Sequence, residues 1–148
     1  MPDAAQTLVE TTISISAALP ATQDASGYGA VAGLAVIGQV TDWTPGGKTS
    51  TVTTSSPIAQ RGIDKFKATF NVGADTITVN RDDDDAGQVI VEAALASDND
   101  YTFKVIFQDA TIDYFSGKVV SFNTSGGSAD SMVQAVIQLE RTELTVTA

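Results

Sequence analysis

Apolar residues alternate with polar ones along several stretches of this chain, and this alternation most constrains the fold. From Tyr101 to Phe107 every second residue is aromatic or aliphatic, and the same spacing returns from Val133 to Leu139. Successive side chains of a strand point to opposite sides of a sheet, so this spacing predicts strands with one buried face. Residues 111–122 are predicted to form the return strand of a hairpin, with a β-bulge or a close backbone approach at Gly117.

Similar patterns upstream predict further strands and a single helix. The predicted strands are Thr11–Ala17, Gly33–Trp43, Lys65–Val72 and Thr76–Asn80. Residues 19–29 are rich in small and turn-forming residues, which predicts a loop. The helix is expected at Asp83–Ala96, where aspartates favour the positive end of the helix dipole. Its predicted apolar stripe consists of Val89, Ile90, Ala93 and Ala94.

The segment Lys48–Ser56 is rich in threonine and has little to bury. Its β-branched residues favour extended backbone, which predicts an edge strand, a hairpin arm or a segment ordered only by a partner. We expect a single domain over residues 1–148, because 148 residues with 43% hydrophobic content suffice for one core. An N-terminal arm (1–10) and a long polar loop (about 44–64) would extend from it.

The residue types that are missing limit the chemistry of the chain. Histidine and cysteine are absent, which removes the usual catalytic triads and the commonest transition-metal ligands. Asp82–Asp85 do not continue into a calcium loop, because alanine occupies two of the ligand positions. The spacing of Gly27, Gly29 and Gly33 misses the dinucleotide motif by one residue. We therefore predict no enzyme activity, no cofactor and no metal.

No export or membrane segment is predicted either. The first ten residues lack a basic segment leading into an apolar one. The longest apolar run, Ala30–Ile37, is much shorter than the roughly 20 residues that span a bilayer. We expect a soluble product made in the cytoplasm.

Charge is strongly acidic and unevenly distributed. The formal net charge is -10, which argues against binding nucleic acid through its phosphates, since such binding requires clustered Lys and Arg. Half of the 18 acidic residues lie between positions 82 and 113. Four of the eight basic residues, Lys48, Arg61, Lys65 and Lys67, lie between 48 and 67. This segregation fits either solvated loops or contacts between subunits of opposite surface charge.

The order of these elements resembles the major tail tube proteins of long-tailed, lambda-type bacteriophages. In that family a helix precedes a strand like Tyr101–Phe107, and the return strand carries an aromatic-Ser/Arg-Gly step like Phe115–Gly117. A strand like Met132–Arg141 follows. Upstream, a Thr-Pro-Gly step like Thr44–Gly46 leads into a long polar excursion. The resemblance covers roughly residues 34–141.

The resemblance implies a mainly β fold, a two-sheet β-sandwich or partial barrel with one flanking α-helix. It implies a structural protein of the virion, whose copies form hexameric rings that stack into a tail tube. DNA would pass through the central channel without specific binding. The implied partners are further copies of the chain and the tape measure, tail terminator and tail tip proteins, with no membrane binding.

Two sets of site residues follow from this expectation. Candidates for contacts between subunits lie around the polar excursion: Pro45, Gly46, Lys48, Arg61, Lys65 and Lys67. Candidates for facing the channel lie on the polar sides of the long strands: Thr111, Asp113, Gln134, Gln138 and Glu140. Acidic side chains in the channel would repel the DNA phosphates.

Two other functions remain open on the sequence. The inner tube protein of a contractile tail or secretion machine would share the same fold. A carbohydrate-binding or adhesive β-sandwich would instead present several aromatic residues on one exposed platform. Trp43, which ends a predicted strand beside a turn, is the first residue to inspect for that role.

Overall fold

Two antiparallel sheets of unequal size account for most of this computed structural model, which describes residues 6–148. Residues 1–5 of the expected N-terminal arm lie outside the described residues. The strands are β1 (Thr12–Ser16), β2 (Ala35–Val36), β3 (Val40–Thr44), β4 (Thr49–Ser55), β5 (Asp64–Asn71), β6 (Ala74–Asn80), β7 (Tyr101–Ile106), β8 (Ile112–Ser125), β9 (Gln134–Arg141) and β10 (Val146–Thr147). The helices are α1 (Ala25–Gly29) and α2 (Ala86–Ala96). The predicted fold class, mainly β with two sheets and a flanking helix, is confirmed.

The larger sheet has the strand order β2-β1-β7-β8-β9-β6-β3, and β10 pairs with the first part of β8. In this register, directly paired residues of neighbouring strands point to the same side of the sheet. Ile15, Phe103 and Phe115 form one such row across three strands. These side chains are buried and belong to one apolar cluster that also includes residues of α2. Each fully buried side chain of this kind contributes about 1.5–3 kcal/mol, so this face of the sheet supplies the core.

The sheet is curled, which brings strands that are not neighbours into contact. The ring centroids of Trp43, on the outer strand β3, and Phe107, just after β7, lie 6.0 Å apart. Trp43 is buried as a result. The curl gives the partial-barrel character expected from the resemblance.

Helix α2 packs on the core face, but with a different side than predicted. Asp85 caps it, because its carboxylate accepts hydrogen bonds from the backbone N–H groups of Gln88 and Gly38, both at 3.0 Å. The helix therefore begins three residues later than expected. The predicted stripe is wrong in part: Val89 and Ala93 are exposed, whereas Gly87, Gln88, Val91 and Ala94 are buried. Gln88 is buried because its amide donates to two backbone carbonyls, those of Gly38 and Asn80.

Several predicted boundaries are corrected by the structure. The expected long strand Gly33–Trp43 is divided into β2 and β3, because Gln39 between them has a φ of 60° and interrupts the extended backbone. The expected loop at residues 19–29 contains α1, which Asp24 caps. The hydrogen bond from the Gly27 backbone N–H lowers the pKa of Asp24.

The long return strand is also more regular than predicted. Instead of bending at Gly117, β8 continues for 14 residues and has its bulge between Val119 and Ser121. A close approach is confirmed at Gly117, where a Cβ would stand 2.6 Å from the carbonyl oxygen of Glu140. Met132 and Val133 are exposed and precede the last long strand, which begins at Gln134.

The segment around α1 covers the opposite face of β7 and the start of β8. The ring of Tyr28 stacks on that of Tyr114 with centroids 5.3 Å apart, and its hydroxyl lies 3.0 Å from Ser116 Oγ. Burial raises the pKa of Tyr28, so the phenol stays neutral at physiological pH. Only the remainder of that face, over β8, β9, β6 and β3, is left open.

Candidate assembly surfaces

The smaller sheet is a hairpin that extends away from the rest of the protein. It consists of residues 48–71, which we call the projecting hairpin, and its strands β4 and β5 pair only with each other. All its residues except the half-buried Ser50 are exposed. Of the three possibilities considered for Lys48–Ser56, the structure shows a hairpin arm. The predicted polar loop at about 44–64 is therefore wrong over the length of β4.

Large apolar side chains of the projecting hairpin are left in contact with water. Val52, Phe66 and Phe70 are each more than half exposed, and Ile58 in the turn at its tip is fully exposed. Solvent-exposed apolar side chains concentrated on one element typically mark a surface that another protein covers. The projecting hairpin is therefore a candidate contact surface.

A bulge in β5 sorts the side chains of the projecting hairpin into two different faces. Val52 lies opposite Lys67 and Ser50 lies opposite Phe70, so one extra residue of β5 is accommodated between these pairs. Phe70 therefore shares a face with Val52, Lys65 and Lys67. Lys48 joins this lysine face, because its Nζ lies 4.6 Å from the centroid of the Phe70 ring.

The opposite side is the threonine face, which contains Thr53, Ser55 and Phe66. Plain alternation along the predicted strand Lys65–Val72 would place Phe66 and Phe70 on one side. The bulge between them prevents this, because Phe66 pairs with Thr53 and Phe70 with Ser50, which point to opposite sides of β4. Phe66 and Phe70 are the exposed aromatic residues of the described chain. Since they lie on opposite faces, they do not form an aromatic platform.

A buried carboxylate fixes the base of the projecting hairpin. Asp75, which has no exposed surface, accepts hydrogen bonds from Arg141 Nε at 2.6 Å and from the second guanidinium nitrogen, Nη2, at 2.9 Å. It also accepts from Trp43 Nε1 at 3.1 Å and from the Gly46 backbone N–H at 2.8 Å. The guanidinium carbon of Arg141 lies 3.8 Å from the centroid of the Phe115 ring. We call these contacts the Asp75 hub.

The two chain segments that enter and leave the projecting hairpin touch at its base. Gly73 has a φ of 100°, and a Cβ at this position would lie 2.6 Å from the backbone N of Gly47. Gly46 has no room for a side chain either, since Ala74 occupies the space. The hairpin is thus joined to the sheet through a narrow, glycine-lined neck beside the Asp75 hub.

The second candidate surface is the open side of the large sheet. Its side chains point away from the core, and we call it the polar sheet face. A representative row across four strands contains Thr44, Thr76, Gln138 and Ser121. The charged residues in this face are Asp42, Lys118 and Glu140. Hydroxyl and amide groups therefore dominate it.

Other kinds of site find no support within residues 6–148. No group of three or more acidic side chains there is arranged to hold a metal ion. In the same part of the chain, no helix has both the length and the apolar character needed to cross a membrane.

Comparison with known proteins adds information at the level of fold. The sequence matches no protein family and no curated protein. One similar solved structure is a chain of the anti-feeding prophage baseplate, determined with 6-fold symmetry. Its TM-score is 0.67 at 9% identity, over 100% of this chain and 97% of that chain. Another is the SPP1 tail tube, with a TM-score of 0.61 at 14% identity, over 93% of this chain and 75% of that chain.

The chain has the tail tube fold. The resemblance inferred from element order is thereby confirmed for the fold. Three of the channel candidates, Gln134, Gln138 and Glu140, lie together on the polar sheet face.

The other two channel candidates lie elsewhere. Asp113 pairs with Val105 and thus shares the side of the sheet that faces the core, where Thr147 donates a hydrogen bond to it at 2.8 Å. Thr111 lies in the turn before β8. Its backbone N–H donates to the Asp109 carboxylate and lowers the pKa of that group. The structure therefore separates these two residues from the polar sheet face.

The candidates for contacts between subunits also separate into groups. Lys48, Lys65 and Lys67 lie on the lysine face, and Arg61 lies in the turn at the tip. Pro45 is exposed at the neck. Gly46 instead serves its own chain as a donor to Asp75.

Sequence reasoning missed the Asp75 hub, although a signal was present. Asp75 lies on the same side of its strand as the buried residues Ile77 and Val79, and Arg141 lies on the same side as Ile137 and Leu139. Asp75 directly precedes the predicted strand Thr76–Asn80 and Arg141 ends the strand Met132–Arg141, so two opposite charges in phase with the inward positions indicate a buried ion pair.

Proposed function

We propose that this chain is the repeating structural subunit of a phage-type tail tube, whose copies form hexameric rings stacked around a channel for DNA. The projecting hairpin is the observation that carries this proposal. A hairpin that exposes Val52, Phe66 and Phe70 has little apolar surface buried within its own chain. Contact with another copy would bury these side chains. The likeness in fold to the SPP1 tail tube supports the same function.

The large sheet offers a route to ring closure. Strands β2 and β3 are the two ends of its strand order, and an end strand has unpaired backbone N–H and C=O groups. Pairing or covering these edges through neighbouring copies removes a liability for aggregation. A closed ring also satisfies every copy equally, as the symmetry of most homo-oligomers requires.

The polar sheet face supplies the channel wall in this proposal. Its two acids and one lysine, Asp42, Glu140 and Lys118, give it little net charge. A wall of hydroxyl and amide groups has no cluster of cations to hold phosphates, so DNA passes without specific binding. Glu140 adds one repeating negative charge per copy. This wall is less acidic than the overall composition of the chain suggested.

The proposal places the chain in the virion, as a passive component of genome delivery without enzymatic activity. Its main partner is itself. The ends of a finite tube would contact tape measure, tail terminator and tail tip proteins.

A related function is favoured by the other solved structure. The likeness to a chain of the anti-feeding prophage baseplate extends over 100% of this chain. A ring component of a baseplate, or the inner tube protein of a contractile tail or secretion machine, would use the same surfaces. The difference lies in whether rings continue to stack.

Negative-stain electron microscopy of the purified protein tests the proposal. We expect hollow tubes of variable length at high protein concentration. Single rings that do not stack would favour the baseplate function. A monomer at every concentration, with binding to a glycan array, would contradict both and favour an adhesive β-sandwich.

A further inference from the structure

We infer that the lysine face of the projecting hairpin docks on the outer face of α2 in another copy of this chain. This inference rests on the proposed function, and it names the receiving surface for the hairpin. The outer face of α2 consists of the exposed residues Val89, Glu92, Ala93 and Ala96. Asp82–Asp84 precede it at the N-terminal end of the helix.

The outer face of α2 has the character of an uncovered contact surface. The helix buries Gly87, Val91 and Ala94 against its own sheet, so Val89, Ala93 and Ala96 point in the opposite direction. Val89 is half exposed. Small and aliphatic side chains on the outer side of a helix form a smooth surface, on which a β-hairpin can lie closely.

Opposite charge identifies the projecting hairpin as the partner of the outer face of α2. The projecting hairpin carries four basic residues and one acid, whereas the rest of the chain carries four basic residues and 17 acids. Within residues 6–148, the three ion pairs use Arg81, Lys118 and Arg141, all outside the hairpin. Apart from Lys104, which lies over the Tyr114 ring, the basic residues of the hairpin are therefore the cations that remain for acids such as Asp82, Asp84 and Glu92. Such complementarity orients and accelerates association.

The apolar groups of the two surfaces match as well. Val52 and Phe70 lie among the lysines of the hairpin, and Val89 and Ala93 lie beside Glu92 on the helix. An apolar centre surrounded by a polar rim is the usual arrangement of a protein interface. The threonine face has Phe66 but no basic residue among its paired positions, so it offers no positive charge to the acids around α2.

A second copy must provide the helix. Every position of β4 and β5 except Ser50 is exposed, so the hairpin is not folded back onto the α2 of its own chain. An exchange in which each copy offers a hairpin and receives another is a heterologous contact. Such contacts propagate from one copy to the next, as a stacked assembly requires.

Disulfide trapping tests the contact directly, because the chain has no cysteine. The test variant combines Val52→Cys on the lysine face with Val89→Cys on α2. The control variant combines Phe66→Cys on the threonine face with Val89→Cys. Both are assembled under reducing conditions, checked for tubes by electron microscopy, then oxidised and analysed on non-reducing gels. We expect a ladder of dimers and higher oligomers for the test variant and at least fivefold less of it for the control.

A charge exchange provides the second measurement. Lys65→Glu with Lys67→Glu should reduce tube yield at least tenfold at low salt. Adding Asp84→Lys and Glu92→Lys to the same chain should restore most of it. Circular dichroism verifies that each variant is folded. Restoration supports the contact even where a cysteine variant fails to assemble.

The outcomes separate this inference from the function on which it rests. Absence of tubes from the unmodified protein would contradict the proposed function. Tubes that assemble normally, without a ladder from the test variant and without restoration by the charge exchange, would overturn only the docking site. An equally strong ladder from the control would also overturn it, because the two faces would then be equivalent.

Discussion

At the scale of single residues, Asp75 connects several strands of the large sheet to the neck of the projecting hairpin. Its carboxylate joins β6 to Arg141 of β9, to Trp43 of β3 and to Gly46 at the neck of the projecting hairpin. Four donors compensate for the loss of water around a fully buried charge. The Asp75 hub therefore couples the direction of the hairpin to the packing of the core.

Replacing Asp75 with alanine should cost about 3–5 kcal/mol in the free energy of unfolding, because Arg141 would remain buried without its partner. Urea denaturation monitored by circular dichroism measures this loss. Asp83→Ala is the matched control, since its ion pair with Arg81 is largely exposed. The control should unfold close to the parental midpoint. Equal midpoints for the two variants would show that the Asp75 hub contributes no more than a surface pair.

The alternation of apolar and polar residues predicted the apolar core but not the Asp75 hub. The alternation in β7 and β9 identified Phe103, Val105, Ile137 and Leu139 as buried, and all four are. Their hydrophobicity alone decides their position, so the sequence suffices. The partners of Asp75 lie 29 or more residues away in the chain, and their meeting depends on strand order. Strand order is a property of the whole sheet, which local alternation does not contain.

At the scale of elements, the projecting hairpin is structurally separable from the sheet. Gly47 and Gly73 are in contact at the neck, so joining them directly would remove residues 48–72 without moving β3 or β6. The pairing of Trp43 with Ile77 lies outside the deletion.

We expect this deletion to leave a folded subunit that forms no tubes, because the surface that binds other copies is lost. Circular dichroism and electron microscopy of the same sample provide the measurement. As a control, a hairpin of normal length with Ile58→Ser at its tip should keep the fold and its strand pairing. Normal tubes from the deletion variant would contradict a role of the hairpin in assembly.

The two faces of the hairpin should respond differently to the same change in charge. Lys65→Thr with Lys67→Thr lowers the net charge by two on the lysine face, and Thr53→Glu with Ser55→Glu lowers it by two on the threonine face. We expect the first pair to slow polymerisation several-fold at low salt, and the second to have a much smaller effect.

Light scattering at two salt concentrations measures this difference. Screening at high salt should reduce the effect of the lysine substitutions, since ions shorten the range of attraction to about 3 Å at 1 M. Equal rates for the two pairs at low salt would indicate that only total charge matters.

Elements with a regular pattern were predicted, and interruptions of the pattern were not. The break between β2 and β3 depends on Gln39, whose positive φ has no marker in its residue type. The inward side of α2 is determined by Gly87, which lies against the backbone of Ile37, and by the hydrogen bonds of Gln88. Hydrophobicity favoured Val89 for burial, but close approach of the helix to β2 requires a glycine instead.

At the scale of the whole molecule, one sheet separates two environments. Its core face carries the apolar cluster under α2, and its polar sheet face carries hydroxyl and amide groups. The order of elements in the sequence was enough to indicate the fold, because that order is shared with the tail tube fold. To predict which polar residues lie on the same face, one would also need the register of β6, β8 and β9.

A positive charge introduced on the polar sheet face should retain DNA. Gln138→Lys is expected to leave tube formation intact, since its side chain is exposed, while each ring gains a band of cations facing the channel. Co-sedimentation of a short duplex with assembled tubes should increase at least fivefold at low salt and fall as salt rises. Gln138→Glu is the matched control and should not retain DNA. Equal retention by both variants would place Gln138 outside the channel.

The bulge in β5 has a consequence for how such hairpins can change in length during evolution. Inserting or deleting one residue elsewhere in β5 would turn the side chains beyond it to the other face. Deleting one of the two residues between Lys67 and Phe70 would instead remove the bulge, and Phe70 would stay opposite Ser50 on the lysine face. Changes by two residues preserve the side on which each position lies. Lineages of this protein should therefore tolerate hairpins that lengthen or shorten in pairs, and loss of a single residue should be tolerated best at the bulge, at Ala68 or Thr69.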